Sequence, residues 1–340
     1  MKLFGLISIG ITSAMATTVV VVPSVVAANE NKPVEYKKIK VIVDTDVGND
    51  CDDIGALTIL GNAYKKDLVD VKAVTVCNQY LPAFHATDIM LEAYGIDCPM
   101  GQADNPQTVH TDWGGDYSKA IDDIWEARSE RDTTRINSAT RILRKTLAEN
   151  TGDKIRLITL GMLNNIANLI ESPADDISNK TGRQLFEENV SEMVLMGGRF
   201  DNETYAEFNI TEALASAKDV INTTHVPKIF SGWEIGSPVF TGKVFYAHPD
   251  SPQAVAYNTY NHGNLRESWD PLTMYVAING AWDYSSLGNV TVQGEGYTIF
   301  RKSASGICRY IPIYPNAEGI ANTLESWMDV ADVPRPNGEK

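Results

Sequence analysis

The sequence predicts an α/β protein built on an open, mostly parallel sheet with helices on both faces, arranged as a single Rossmann-like domain. Three observations carry that prediction. Apolar, β-branched runs recur at 39–44, 69–76, 155–160, 190–196 and 226–230. They are continuous rather than alternating, as strands buried on both faces are. Helix-period segments fill most of the gaps, at 53–64, 83–94, 138–149, 163–170, 212–222 and 271–278, and alternation of this kind produces parallel sheets. Acids and asparagines collect where strands end, the edge at which open α/β sheets bind ligands.

In chain order, the first residues stand apart from the fold. Met1-Lys2 is a minimal basic start, 3–11 is apolar and uncharged, and small residues follow with candidate cleavage points after Ala16 and Ala28. Residues 1–28 therefore read as a secretory signal and 29–37 as a polar leader, with export to the medium or periplasm expected. An uncleaved anchor is the alternative, although Pro23 and Ser24 interrupt the second apolar piece. Residues 38–340 suffice for one large domain. Its first strand, 39–44, runs into Asp44-Thr45-Asp46-Val47-Gly48-Asn49-Asp50-Cys51-Asp52-Asp53, five carboxylates in ten residues. Carboxylates so close repel one another unless a cation compensates them. Oxygen-only ligands select a hard ion, Ca²⁺ or Mg²⁺, over Zn²⁺.

The later strands end similarly. Strand 69–76 runs into Cys77-Asn78-Gln79, and strand 155–160 into Gly161-Met162-Leu163-Asn164-Asn165. Strand 190–196 leads through Gly197-Gly198 to Asp201-Asn202 and Ala206-Glu207-Phe208-Asn209, and Ser268-Trp269-Asp270-Pro271 opens a helix. Asn and Glu suit sugar hydroxyls because each can make paired hydrogen bonds. Segments 249–252 and 261–264 read as loops. The alternation across 290–313 suggests antiparallel strands, and a helix at 317–328 closes the fold.

A net charge of −15 argues against nucleic-acid binding and favours a metal cation and a neutral substrate. Cysteines 51, 77, 98 and 308 have no zinc spacing. Cys51 and Cys77 read as free thiols beside the site loops, and a disulfide elsewhere stays open. The five histidines, 85, 110, 225, 248 and 262, show no paired spacing, and only His110, near Trp113, invites attention. Six Asn-x-Ser/Thr sequons occur, one of them at Asn209.

Taken in order, these motifs resemble the inosine-uridine-preferring nucleoside hydrolases, over roughly Lys38 to Met328. The motifs are Asp44-Thr45-Asp46-Val47-Gly48, Asp52-Asp53-Ile54-Gly55-Ala56-Leu57, Asn78, Thr159-Leu160-Gly161-Met162-Leu163-Asn164-Asn165, Met196-Gly197-Gly198, Ala206-Glu207-Phe208-Asn209 and Trp269-Asp270. The resemblance implies a Ca²⁺ held by Asp46, Asp53, Asp270 and the backbone carbonyl of Leu160, where the family usually has Thr. It implies Asp52 as general base, with the ribose bound by Asn78, Glu207, Asn209 and the Asp201-Asn202 pair. It also implies hydrolysis of an N-glycosidic bond through an oxocarbenium-like transition state, and a homo-oligomer, dimer or tetramer, with no nucleic-acid or membrane partner once the signal is removed.

Three departures from the family pattern matter. Asn49-Asp50-Cys51 lengthens the aspartate loop, so Asp50 competes with Asp52 for the role of base. Trp269 stands where many members have a leaving-group histidine, a substitution seen in purine-specific relatives, with Trp113 as the candidate second stacking partner. The spacing of Asp201-Asn202 to Glu207 is offset by one residue. The expected function is Ca²⁺-dependent hydrolysis of ribonucleosides, purines slightly favoured. The alternatives are hydrolysis of another N-riboside or sugar derivative, and metal-dependent binding of a sugar or nucleoside without turnover.

Overall fold

A computed structural model of the chain describes residues 38–105 and 107–330. The expected signal and leader, 1–28 and 29–37, lie outside the described residues. Five strands stand where expected, β1 (Ile39–Thr45), β2 (Val69–Val76), β4 (Ile155–Thr159), β5 (Val190–Met196) and β6 (Lys228–Ser231), and a short one that was not expected, β3 (Met100–Gln102), lies between β2 and β4 in the chain. A two-stranded antiparallel ribbon, β7 (Phe240–Thr241) with β8 (Arg266–Glu267), stands apart. The chain then adds β9 (Gly288–Gln293), β10 (Tyr297–Lys302) and β11 (Cys308–Tyr310). The main sheet has nine strands in the order β10-β9-β11-β6-β5-β4-β1-β2-β3. It is parallel from β11 through β3 and antiparallel at one edge, where β9 pairs with both β11 and β10.

Period-two alternation on β1 divides the core. Val41 and Val43 pack into one apolar cluster with Ile54, Leu57, Phe84 and Leu272, while Ile42 joins the other with Leu143, Leu157, Ile166 and Phe230. Both sheet faces are thus covered. The central strands β1 and β4 therefore aim their carboxyl ends at one crevice, as the doubly wound topology requires.

The expected helices form with small shifts. The helix expected at 212–222 forms as Leu214–Thr223, with a separate short turn of helix, Phe208–Thr211, ahead of it. The loop expected at 249–252 forms over 249–251, and Pro252 opens the helix Pro252–Asn261, which the Ser251 side chain caps by accepting from Ala254 N–H at 3.1 Å. The helix Gly182–Asn189 was not anticipated, although Thr181 and Gln184 form a capping box. All four cysteines are free and buried. Among the described residues no helix is long and apolar enough to cross a membrane.

Candidate active site

The floor of the crevice is built by three short segments. Asp46 follows β1, Asp53 lies in the first turn of the helix Asp52–Lys65, and Asp270 in the first turn of the helix Trp269–Asn279. Two helix N-termini thus present positive dipole ends to carboxylates. A carboxylate oxygen from each of the three residues lies within 4.8 Å of the others, and all three side chains are buried. Local contacts hold them. Asn49 Nδ2 donates to Asp46 Oδ2 at 3.0 Å and Thr45 Oγ1 donates to Asp53. Gly48 turns the loop with φ +113°, and its N–H donates at 2.6 Å to the buried Tyr117 hydroxyl, which in turn donates to the Asp50 carbonyl at 2.6 Å. Gly161 lets the β4 loop pass beside Asp46, since an added Cβ would fall 2.5 Å from Asp46 Cβ.

Among the described residues, none of these three carboxylates makes an ion pair with Lys or Arg. Burial, then repulsion from the neighbouring acids, pushes Asp53 and Asp270 well above the usual carboxylate range. Burial raises Asp46 to about 6. Three buried, oxygen-only donors with no cationic partner fit a hard divalent ion. The Leu160 carbonyl also reaches the crevice and accepts from Asn209 Nδ2 at 2.7 Å, leaving its second lone pair for such an ion.

The two remaining acids of the loop differ. Asp52 Oδ2 accepts from the Asp270 N–H at 3.0 Å. Asp52 stands outside the group of three and has no arginine on it, and burial, then repulsion from Asp50, raises its pKa well above the usual range. Asp50 is clamped by Arg266, whose Nε lies 3.0 and 3.1 Å from its two oxygens and whose Nη2 lies 2.5 Å from Oδ2. Both oxygens of Asp50 are taken up by the guanidinium fork, so the geometry leaves Asp52 as the loop acid outside the group of three that has no cation bonded to it.

The crevice walls carry Glu207, Asn209, Met196, Phe208, Trp113, Trp233, Trp269 and Arg266. Glu207 caps the short turn Phe208–Thr211, accepting from Gly198 N–H at 3.0 Å and Asn209 N–H at 2.9 Å, and burial pushes it up to about 7. Trp269 is anchored by its indole N–H on the Trp233 carbonyl at 2.8 Å. Trp113 is half exposed at 51 % and stacks on His110 at 4.2 Å, with its edge on Phe208 at 5.0 Å. His110 thus backs Trp113 rather than lining the crevice.

Three expected ribose residues fall elsewhere. Asn78 is buried beside the loop, not on the crevice wall. Its amide donates to the Val47 carbonyl and accepts from Tyr80 N–H, both at 3.0 Å, so it braces the β1 and β2 loops together. Asp201 is exposed and paired with Arg199 at 2.6 Å, and Asn202 is exposed and closes a local turn on Thr204 at 2.8 and 3.1 Å. Polar turns of this kind satisfy themselves locally and need no ligand. Sequence reasoning missed Asn49, Trp233 and Arg266. Trp233 follows β6 and was reachable by applying the strand-end rule once more, whereas Arg266 sits four residues before Asp270 on a ribbon with no strong pattern.

The inosine-uridine preferring nucleoside hydrolase family model matches residues 41–318. Among curated proteins none matches in sequence. Solved structures share the fold. A plant nucleoside hydrolase aligns with TM-score 0.66 at 21 % identity, covering 86 % of this chain and 99 % of its own. A purine-preferring ribonucleoside hydrolase from Gardnerella vaginalis gives 0.63 at 17 %, covering 85 % and 98 %. An inosine-uridine preferring nucleoside hydrolase from Bacillus anthracis gives 0.62 at 17 %, covering 84 % and 99 %. With its aspartate crevice inside the matched region, the chain belongs to the inosine-uridine preferring nucleoside hydrolase family and is an N-glycosyl hydrolase of ribonucleosides.

Proposed function

We propose that this enzyme is exported and hydrolyses purine ribonucleosides to ribose and free base with Ca²⁺ as its metal. The observation that carries the reading is the group Asp46, Asp53 and Asp270, buried, mutually close and unpaired with any cation, at the foot of an aromatic-walled crevice. Asp46, Asp53, Asp270 and the Leu160 carbonyl would hold the ion, which when bound supplies a site for two ribose hydroxyls and an acidified water.

The remaining work falls to side chains. Asp52 is the acid left free to accept a proton, from the attacking water as it forms the bond to the anomeric carbon. Neighbouring carboxylates stabilise the oxocarbenium-like charge on the sugar. Glu207 and Asn209, fixed by their own backbone contacts, offer polar atoms to the sugar. The N-glycosidic pair departs with the base, which lies among Trp269, Trp233 and Trp113. Stacking there favours a large bicyclic base and supports purine preference. The same ring faces gain more from a base that is acquiring a proton.

A turnover assay over a nucleoside panel, with Ca²⁺ and with a chelator, tests the reading. Purine nucleosides should be cleaved fastest, and chelation should stop all cleavage until Ca²⁺ is returned. Tight nucleoside binding without turnover would make the chain a binding protein. Cleavage confined to ribosides that are not nucleosides would move the substrate class.

A further inference from the structure

The leaving base takes an electron pair on its nitrogen when the bond to ribose breaks, and among the described residues no histidine or lysine lines the crevice to neutralise it. The cation that the described residues place there is Arg266. Two features give that arginine a fixed aim. Its guanidinium is bound by Asp50 through Nε and Nη2, and by Glu267 through Nη1 at 2.9 Å. It lies over the faces of Trp269 and Tyr260, with its central carbon 5.4 and 5.3 Å from the ring centroids. Burial opposes its charge, but the hydrogen bonds it donates to Asp50, with that carboxylate's charge, outweigh burial and hold its pKa above the ordinary value. A guanidinium has five N–H groups, so these partners leave two unspent.

We propose that Arg266 is the catalytic residue that stabilises the departing base, and that Asp50, the extra acid of the lengthened loop, is its positioning residue. The proposal rests on the nucleoside hydrolase reading. As the C–N bond breaks, the pair moves onto the base nitrogen or, by conjugation, onto another ring nitrogen or an exocyclic oxygen of the base. A guanidinium N–H donates to that atom, and the base then takes its proton from solvent. Arg266 gives up no proton itself, because an arginine stays protonated throughout the working range. The pairing explains two departures from the family pattern together: the loop is longer by the segment that carries Asp50, and no histidine precedes Asp270. Asp50 and Glu267 reduce the net field of the arginine but keep its donors pointed, and donors aimed in advance at developing charge carry most of this kind of stabilisation.

Arg266→Gln, Arg266→Lys and Asp50→Asn should be compared with the unchanged enzyme in single-turnover assays. One substrate is inosine, whose base leaves poorly, and the other 4-nitrophenyl riboside, whose leaving group needs no help. Ca²⁺ binding by calorimetry reports whether each variant keeps an intact site. Arg266→Gln should slow inosine by about 10²–10³-fold, the loss typical of one donor aimed at developing charge, and slow the nitrophenyl substrate only a few-fold. Arg266→Lys, which keeps the charge without the fork, should fall between, and Asp50→Asn should shift the same ratio by less. Equal losses on both substrates with Ca²⁺ binding intact, or an unchanged inosine rate, would overturn the proposal. Unchanged enzyme that cleaves neither substrate would defeat the hydrolase reading itself, a result visible before any variant is made.

Discussion

Two sets of acids in this protein contrast. One set is matched to arginines. Asp175 is gripped by the buried Arg144 at 2.8 and 2.6 Å and by the backbone N–H groups of Ile177 and Ser178, and the arginine pulls its pKa down to about 2. The buried Asp88 takes Arg128 Nε and the Ser129 N–H, each at 2.8 Å. In the crevice, Asp46, Asp53 and Asp270 are as buried as Asp88 but have only hydroxyl, amide or carboxylate neighbours among the described residues, and their pKa values rise. An arginine thus compensates Asp88 and Asp175, and none compensates these three. Asp50 makes the point within one loop: it is paired with Arg266, while Asp52, two residues on, is not.

The largest effect should come from the group of three. Asp46→Ala and Asp53→Ala should each abolish metal binding and turnover together. Elemental analysis that still finds about one metal per chain in both variants would show that these acids are not its ligands. Next, Asp52→Asn should keep the metal and lose roughly 10²–10⁴ in single-turnover rate, the usual loss for a general base, with Asp50→Asn less harmful. The reverse ranking would move the proton acceptor to Asp50 despite its arginine. Trp269→Ala should slow purine nucleosides by roughly tenfold, the upper end of what one aromatic stack contributes beyond burial, and slow 4-nitrophenyl riboside far less. Equal losses would leave Trp269 shaping the pocket only.

The two sets should also separate by pH. The raised values in the crevice mean that folding holds protons there more tightly than the unfolded chain does. Metal-free stability from this group is thus greatest below the ordinary carboxylate pKa and is lost as pH rises through the raised values, which for Asp46 is about 6. Ca²⁺ must displace those protons. It should raise Tm strongly at about pH 8 and little at about pH 5, and a shift equal at both would break the comparison. Asp175 runs the other way: its contribution is full above the ordinary carboxylate pKa and fades as pH falls towards about 2. Arg144→Ala, the smallest effect on function, should lower Tm by several degrees and leave kcat/KM unchanged. Lost activity at constant Ca²⁺ affinity would mean that the arginine-matched set reaches the site.

The sequence by itself determined the sheet, because strands buried on both faces must be continuous and apolar, and 69–76 and 190–196 form as strands with the expected bounds. It also picked out Asp46 and Asp53, whose carboxylates repel one another on one short loop, and Glu207 and Asn209, whose motif follows a strand end and lines the crevice. Only the family resemblance attached Asp270 to those two aspartates, because it is more than 200 residues from Asp53 and the packing of two helices brings their first turns together. Other features came only with the tertiary structure. Whether a polar residue near a strand end faces the crevice depends on which backbone groups need it first. Asn78, Asp201 and Asn202 are consumed by neighbouring loops and side chains, and local spacing carries no record of those partners. Arg266 is the converse case. It reads as an ordinary surface cation until the fold sets it against Asp50 and two aromatic faces, because the chemistry of an ion pair is fixed by a distance in space that has no counterpart along the chain.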